Sequence, residues 1–130
     1  MTHPIRTRAD VEYSLMLAML NFHNDVMRST YSHIHVRFLE QAIEVELTRN
    51  APIPEEEQLA QTQEGRTRLR QAHRTRFAAG QARLQHQLND ILGGHIGELR
   101  ADLDPLTGTS TIVITIPEAG GSASRSAQPG

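Results

Sequence analysis

QTQEGRTRLRQAHRTRFAAGQARLQHQLNDIL, Gln61 to Leu92, lies in the longest proline-free run of the chain, and its reading decides the fold. Leu69, Ala72 or His73, Phe77, Gly80, Leu84, Leu88 and Ile91 recur at helical spacing and make one apolar stripe. The spacing predicts a single helix of about eight turns. Gly93-Gly94 closes it, because glycine takes the left-handed conformation past a helix end without steric cost. The remaining elements must cover that stripe.

Upstream, Pro54 and Glu55-Glu56-Glu57 open a short helix to about Thr62, with acidic side chains placed to favour the helix dipole. A kink at Gly65 is expected between this helix and the long one. Before it, Asn50-Ala51-Pro52-Ile53-Pro54 stops a strand, since proline donates nothing to a ladder. That strand belongs to a hairpin of period two. Ile34, Val36 and Phe38 alternate with His33, His35 and Arg37, and Ile43, Val45 and Leu47 alternate with Glu44, Glu46 and Thr48. A two-residue loop at Glu40-Gln41 places Arg37 opposite Glu44, His35 opposite Glu46 and Val36 opposite Val45. Glu-Gln is poor chemistry for such a loop, so a longer one stays open.

Nearer the N-terminus, Thr7-Arg8-Ala9-Asp10 resembles a capping box, and Val11, Leu15, Met19, Phe22 and Val26 set a helix stripe reaching to about Arg28. Tyr13, Leu17 and Leu20 widen that stripe, either as core fill or as a dimer contact. Downstream of the long helix a second hairpin follows. Leu99, Ala101 and Leu103 form one apolar set and Ile112, Ile114 and Ile116 another, around the turn Asp104-Pro105-Leu106-Thr107-Gly108. Residues 118–130 are Gly, Ser, Ala and Pro rich and read as a disordered tail, and residues 1–9 as an N-terminal arm. The chain therefore reads as one α+β domain over residues 10–117, in α-β-β-α-β-β order. Its two layers are a four-stranded, largely antiparallel sheet and, on one face, a medium and a long helix. At 1.5 Å per residue the long helix spans about 45 Å and overhangs four strands spaced about 4.8 Å apart, which suggests a homodimer.

Composition narrows the function classes. A chain of 130 residues without cysteine or tryptophan and with 38% hydrophobic residues builds one modest aliphatic core. Thiol nucleophiles, disulfides and thiolate zinc sites are excluded. Met1 to Arg6 lacks a signal-peptide layout and no apolar run approaches the ~18 residues of a membrane span, so a cytoplasmic protein is expected. All 13 basic residues are arginine, yet the net charge of −2 gives no general pull toward nucleic acid.

Three constellations carry candidate chemistry. His33 and His35 share a strand face with Glu44 and Glu46 across the hairpin, a donor set for a divalent metal or, equally, a set of solvated cross-strand partners. Arg66, Arg68, Arg70, Arg74 and Arg76 crowd the start of the long helix. Arg66, Arg70 and Arg74 follow at steps of four and repel unless something anionic lies against them. Arg66, Arg70, Arg74 and Arg76 are the expected surface for an acidic protein partner or anionic head groups, with the Glu55–Glu57 run as an internal alternative; no aromatic residues interleave them to stack on bases. Asp102 and Asp104 read as turn residues. No nucleophile motif, phosphate loop, dinucleotide fingerprint or His-Glu-x-x-His is present. Neither an enzyme nor a cofactor is expected.

The segment from Pro54 to Arg66, above all Leu59 to Arg66, the long helix ending in Gly93-Gly94, and Asp102 to Gly108 before a β-branched strand together resemble the MpsC family of small bacterial proteins, over about residues 10 to 117. The resemblance implies an accessory component of a sodium-translocating, membrane-potential-generating system that handles ions or inorganic carbon, acting by protein contacts and peripheral to the inner membrane face. A small-ligand or metal-binding sensor module built on the histidine pair is the alternative. The resemblance carries over no catalytic residues.

Overall fold

A computed structural model describes residues 7–117. Helix α1 (Arg8–Phe22) starts where Thr7 Oγ1 accepts the Asp10 N–H and Asp10 accepts the Thr7 N–H, the reciprocal pair the capping box requires. It widens into a π-helical turn, His23–Met27, and ends at Arg28, whose φ of 59° is left-handed. The expected extent to Arg28 holds, but the last turn is wound more loosely than a stripe ending at Val26 implies.

Strands β1 (His33–Phe38) and β2 (Ala42–Thr48) pair in the register read from the alternation, His35 with Glu46, Arg37 with Glu44 and Val36 with Val45. The Leu39 N–H donates to Ala42 O at 2.8 Å, so the loop is the two-residue Glu40-Gln41. Helix α2 (Pro54–Leu59) is separate from α3 (Gln63–Leu92). The expected kink at Gly65 is instead a break before it. Thr62 caps α3 by accepting the Gly65 N–H at 2.9 Å, and Gly65 packs so tightly on the Leu59 carbonyl that a Cβ there would lie 1.7 Å from it. Gly93, with φ 75°, terminates α3 as expected. The N-terminal turns of α3 rest on α2, which covers part of the predicted overhang.

Strands β3 (Leu99–Asp104) and β4 (Thr109–Thr115) form the second hairpin. The sheet order is β1-β2-β4-β3 and every neighbouring pair is antiparallel, which makes the architecture α+β, with the short α2 and the π turn added to the expected order. The central strands join the two hairpins, and β1 and β3 are the edges. Leu15, Met19, Leu84 and Leu88 from the helices close on Val45, Leu47, Ile112 and Ile114 from the sheet, all fully buried. The helices cross at Gly80, where a Cβ would come within 2.8 Å of Val26 and 2.9 Å of Phe22. Helix α1 lies against β1, and α3 against β3.

Candidate functional site

On β4 the apolar alternation runs Ile114, Ile112 and then Ser110, so a hydroxyl takes the core position between Leu47 of β2 and Leu103 of β3. Ser110 is fully buried and meets two buried histidines. His23, the first residue of the π turn, lies 3.0 Å from its Oγ through Nε2, and His73 of α3 lies 2.9 Å away, also through Nε2. Hydrogen-bond capacity fixes the protons. His23 Nδ1 sits 2.8 Å from Met19 O, a pure acceptor, so Nδ1 carries the proton and Nε2 accepts from the Ser110 hydroxyl. With its one proton used, Ser110 accepts from His73 Nε2–H, and Nδ1 of His73 is left as a buried acceptor without a partner among the described residues.

Burial sets the electrostatics. It pushes the His23 pKa down, opposed by the bond to Met19 O. It lowers His73 to about 4, with His23 adding to the effect and Asp102 opposing it. Both imidazoles are therefore neutral at neutral pH. Around them, the Tyr31 ring meets His23 edge-on at 5.2 Å and stacks under the Arg49 guanidinium at 4.7 Å. Burial raises the Tyr31 pKa, against the pull of Arg49. Tyr31 Oη donates to Gly108 O, and Arg49 Nη1 pairs with Glu56 Oε1 at 3.1 Å. A serine bonded to a histidine has the outline of a nucleophile and its base. Here, however, the hydroxyl is sealed, and the adjoining cavity, about 30 Å³ and lined by Tyr31, Arg49, His73 and Arg76, is the size of a water rather than a substrate.

The residues singled out from sequence lie elsewhere. His33, His35, Glu44 and Glu46 do share the open face of the sheet, but Arg37 holds Glu44 at 2.7 Å, and among the described residues no three His, Asp or Glu side chains converge as a metal site would require. The arginines are divided. Arg66 donates to Ala60 O at 2.8 Å and holds the α2–α3 corner, and Arg68 pairs with Glu64 in the open. Arg70 and Arg74 are exposed and form no ion pair with a described residue. Arg74 lines a groove of about 620 Å³ that wraps the β3 edge, with Phe77 and Gln81 of α3, Arg100 and Asp102 of β3 and Glu44 of β2 on its walls. Arg76, two residues on and so on the opposite flank, borders the small cavity beside Tyr31. Within the Glu55–Glu57 run, Glu56 pairs with Arg49.

Of the residues that widen the α1 stripe, Tyr13, Leu17 and Leu20, one is core fill. Leu20 packs against the core, whereas Tyr13 is 63% and Leu17 43% exposed. His23 and Ser110 carry no signal that sequence reading used. Ser110 abuts a turn and falls one step before the isoleucine run. His23 lies off the α-helical stripe, at the first position of the π turn.

The comparisons agree with this architecture's sequence. The family model described as "Na+-translocating membrane potential-generating system (MpsC)" matches residues 7–118. No curated protein and no solved structure matches the chain. The match spans both hairpins and all three helices, and the chain belongs to the MpsC family.

Proposed function

We propose that this chain is a non-catalytic accessory or regulatory component of a sodium-translocating, membrane-potential-generating system, acting as a homodimer through protein contacts at the cytoplasmic face of the membrane. Family membership supports the system. No helix among the described residues is long and apolar enough to cross a membrane, so an accessory that docks on a membrane component accords with this chain better than one that conducts. The sealing of the Ser110–His23–His73 cluster supports action by contact.

The observation that carries the reading is the exposed pair Arg70 and Arg74, which form no ion pair with a described residue and follow one another at one turn along α3, Arg74 at the groove that Glu44 and Asp102 also line. Two guanidinium groups one turn apart repel by a few tenths of a kcal/mol. Such a row is a binding surface for carboxylates or phosphates, which guanidinium recognises in bidentate fashion. Affinity capture of tagged protein from gently solubilised membranes should recover an ion-handling membrane complex, and Arg70→Glu with Arg74→Glu should lose it. The reversal leaves the midpoint of thermal unfolding within about 2 °C, since surface changes of this kind stay within about 0.5 kcal/mol. Capture unaffected by the double reversal would remove this surface as the docking site.

A further inference from the structure

Two polar atoms of the buried cluster have no partner among the described residues, Nδ1 of His73 and Nε of Arg49. Both side chains are only 7% exposed, and both line the pit of about 30 Å³ that Tyr31 and Arg76 also border. Arg49 is fixed on its other sides. Nη1 pairs with Glu56 Oε1 at 3.1 Å and lies where a Cβ on Gly108 would come within 2.5 Å of it. Nη2 donates to Tyr31 Oη at 3.5 Å, and the guanidinium stacks on the Tyr31 ring. Nε and Nη2 share the edge with which a guanidinium grips an anion in bidentate fashion. Glu56 leaves that edge open, and Tyr31, a wall of the pit, marks the side to which it faces.

The proton count of the cluster makes His73 the imidazole that charges without breaking a bond. His23 has both nitrogens engaged, Nδ1–H to Met19 O and Nε2 to the Ser110 hydroxyl, so a second proton there would strip the serine of its acceptor. A proton arriving at Nδ1 of His73 leaves Nε2–H donating to Ser110 as before. It turns the pit from a place with one donor and one acceptor into one with two cationic donors. The charged and titratable groups facing His73 are His23 from the π turn, Tyr31 before β1, Arg49 after β2, Glu56 of α2, Asp102 of β3 and Arg76 of its own helix. Asp102 favours the imidazolium, His23, Arg76 and Arg49 oppose it, and Glu56 is already paired with Arg49. Arg76 is exposed and forms no ion pair with a described residue.

We propose that this pit binds one small monatomic anion, a halide such as chloride, together with a proton on Nδ1 of His73. The anion accepts from Arg49 Nε–H and from the new Nδ1–H, within the field of Arg76. At neutral pH, where His73 is uncharged, a water takes its place, accepting from Arg49 and donating to the Nδ1 lone pair. Size sets the selectivity. A pit of about 30 Å³ admits a halide and excludes anions built of several heavy atoms. The coupling is reciprocal, so the anion tightens proton binding by the factor with which the proton tightens anion binding. A bound anion thereby counters burial, the largest of the effects that hold His73 in its neutral form. Arg70 and Arg74 do not line the pit, and the site is independent of the docking surface proposed above.

Two sodium salts whose anions carry the same charge provide the test, chloride and methanesulfonate, the second anion being too large for the pit. Nitrogen NMR of the full chain follows each imidazole as it titrates. His73 should bind its proton about tenfold more tightly in ~0.5 M chloride than in ~0.5 M methanesulfonate, as linkage to a bound anion requires. The exposed His33 and His35 should titrate alike in both. In chlorine NMR the chloride line should broaden with protein at about pH 5 and not at about pH 8, where His73 holds no second proton. His73→Gln and Arg49→Lys should each abolish that broadening, the latter because lysine keeps the charge and lacks the Nε edge. The salt comparison needs no substitution and stands even where a variant fails to fold. A His73 that titrates alike in both salts would overturn the site and leave a hydrated pit. Broadening that survives both substitutions would overturn it too, placing chloride on the open arginines.

Discussion

Ser110 has one proton and two histidine neighbours, and that arithmetic fixes the centre of the molecule. Ser110→Ala strands the Nε2 atoms of His23 and His73 in an apolar core. The expected cost is about 2 kcal/mol, read as a lower denaturant midpoint at unchanged slope. The same cluster sets an acid limit. His73 binds its proton at about 4 when folded and near 6.5 when unfolded, so below 6.5 the unfolded chain holds more protons and stability falls with pH. The contribution is fully present above about 6.5, drains away toward 4, and amounts to about 3 kcal/mol for His73; His23 acts in the same direction. His73→Leu should flatten the urea-midpoint profile between those limits. A profile of undiminished slope would place the acid sensitivity elsewhere. At this scale the sequence was least informative. His73 entered only as one of two residues filling a stripe position, and nothing local marks a serine that the register of a distant hairpin carries into the core.

Elements were more legible, because period is a local property. The alternation of Ile34 to Phe38 against Ile43 to Leu47 contains its own register, and only one pairing puts Val36 on Val45 while leaving Arg37 on Glu44. Strand order was not legible, since nothing in either hairpin says which strand faces the other. Nor was the α2–α3 break. Gly65 signals a deformation, but it serves contact rather than bending, allowing α3 to sit on the Leu59 carbonyl. Gly65→Ala should therefore destabilise despite alanine's higher helix propensity, by about 2 kcal/mol, because the obstructing atom is backbone and has little room to retreat. Equilibrium unfolding in urea measures this. A gain of about 1 kcal/mol, as helix propensity alone would give, would show that the corner yields.

Across the whole molecule, the central ladder joins strands from opposite halves of the chain, with Glu46 of β2 beside Thr111 of β4. Each half, a helix followed by a hairpin, satisfies its own local hydrogen bonds and leaves one long strand edge and one apolar face bare. Closing the Glu46–Thr111 ladder demands the largest loop, so docking of the halves is the slow step of folding. A chain severed between Ala60 and Thr62 should give two fragments that are separately incomplete and regain structure on mixing, with a rate that rises with fragment concentration. The molecule is in this sense already a pair, and covalent continuity at the α2–α3 corner supplies proximity rather than shape.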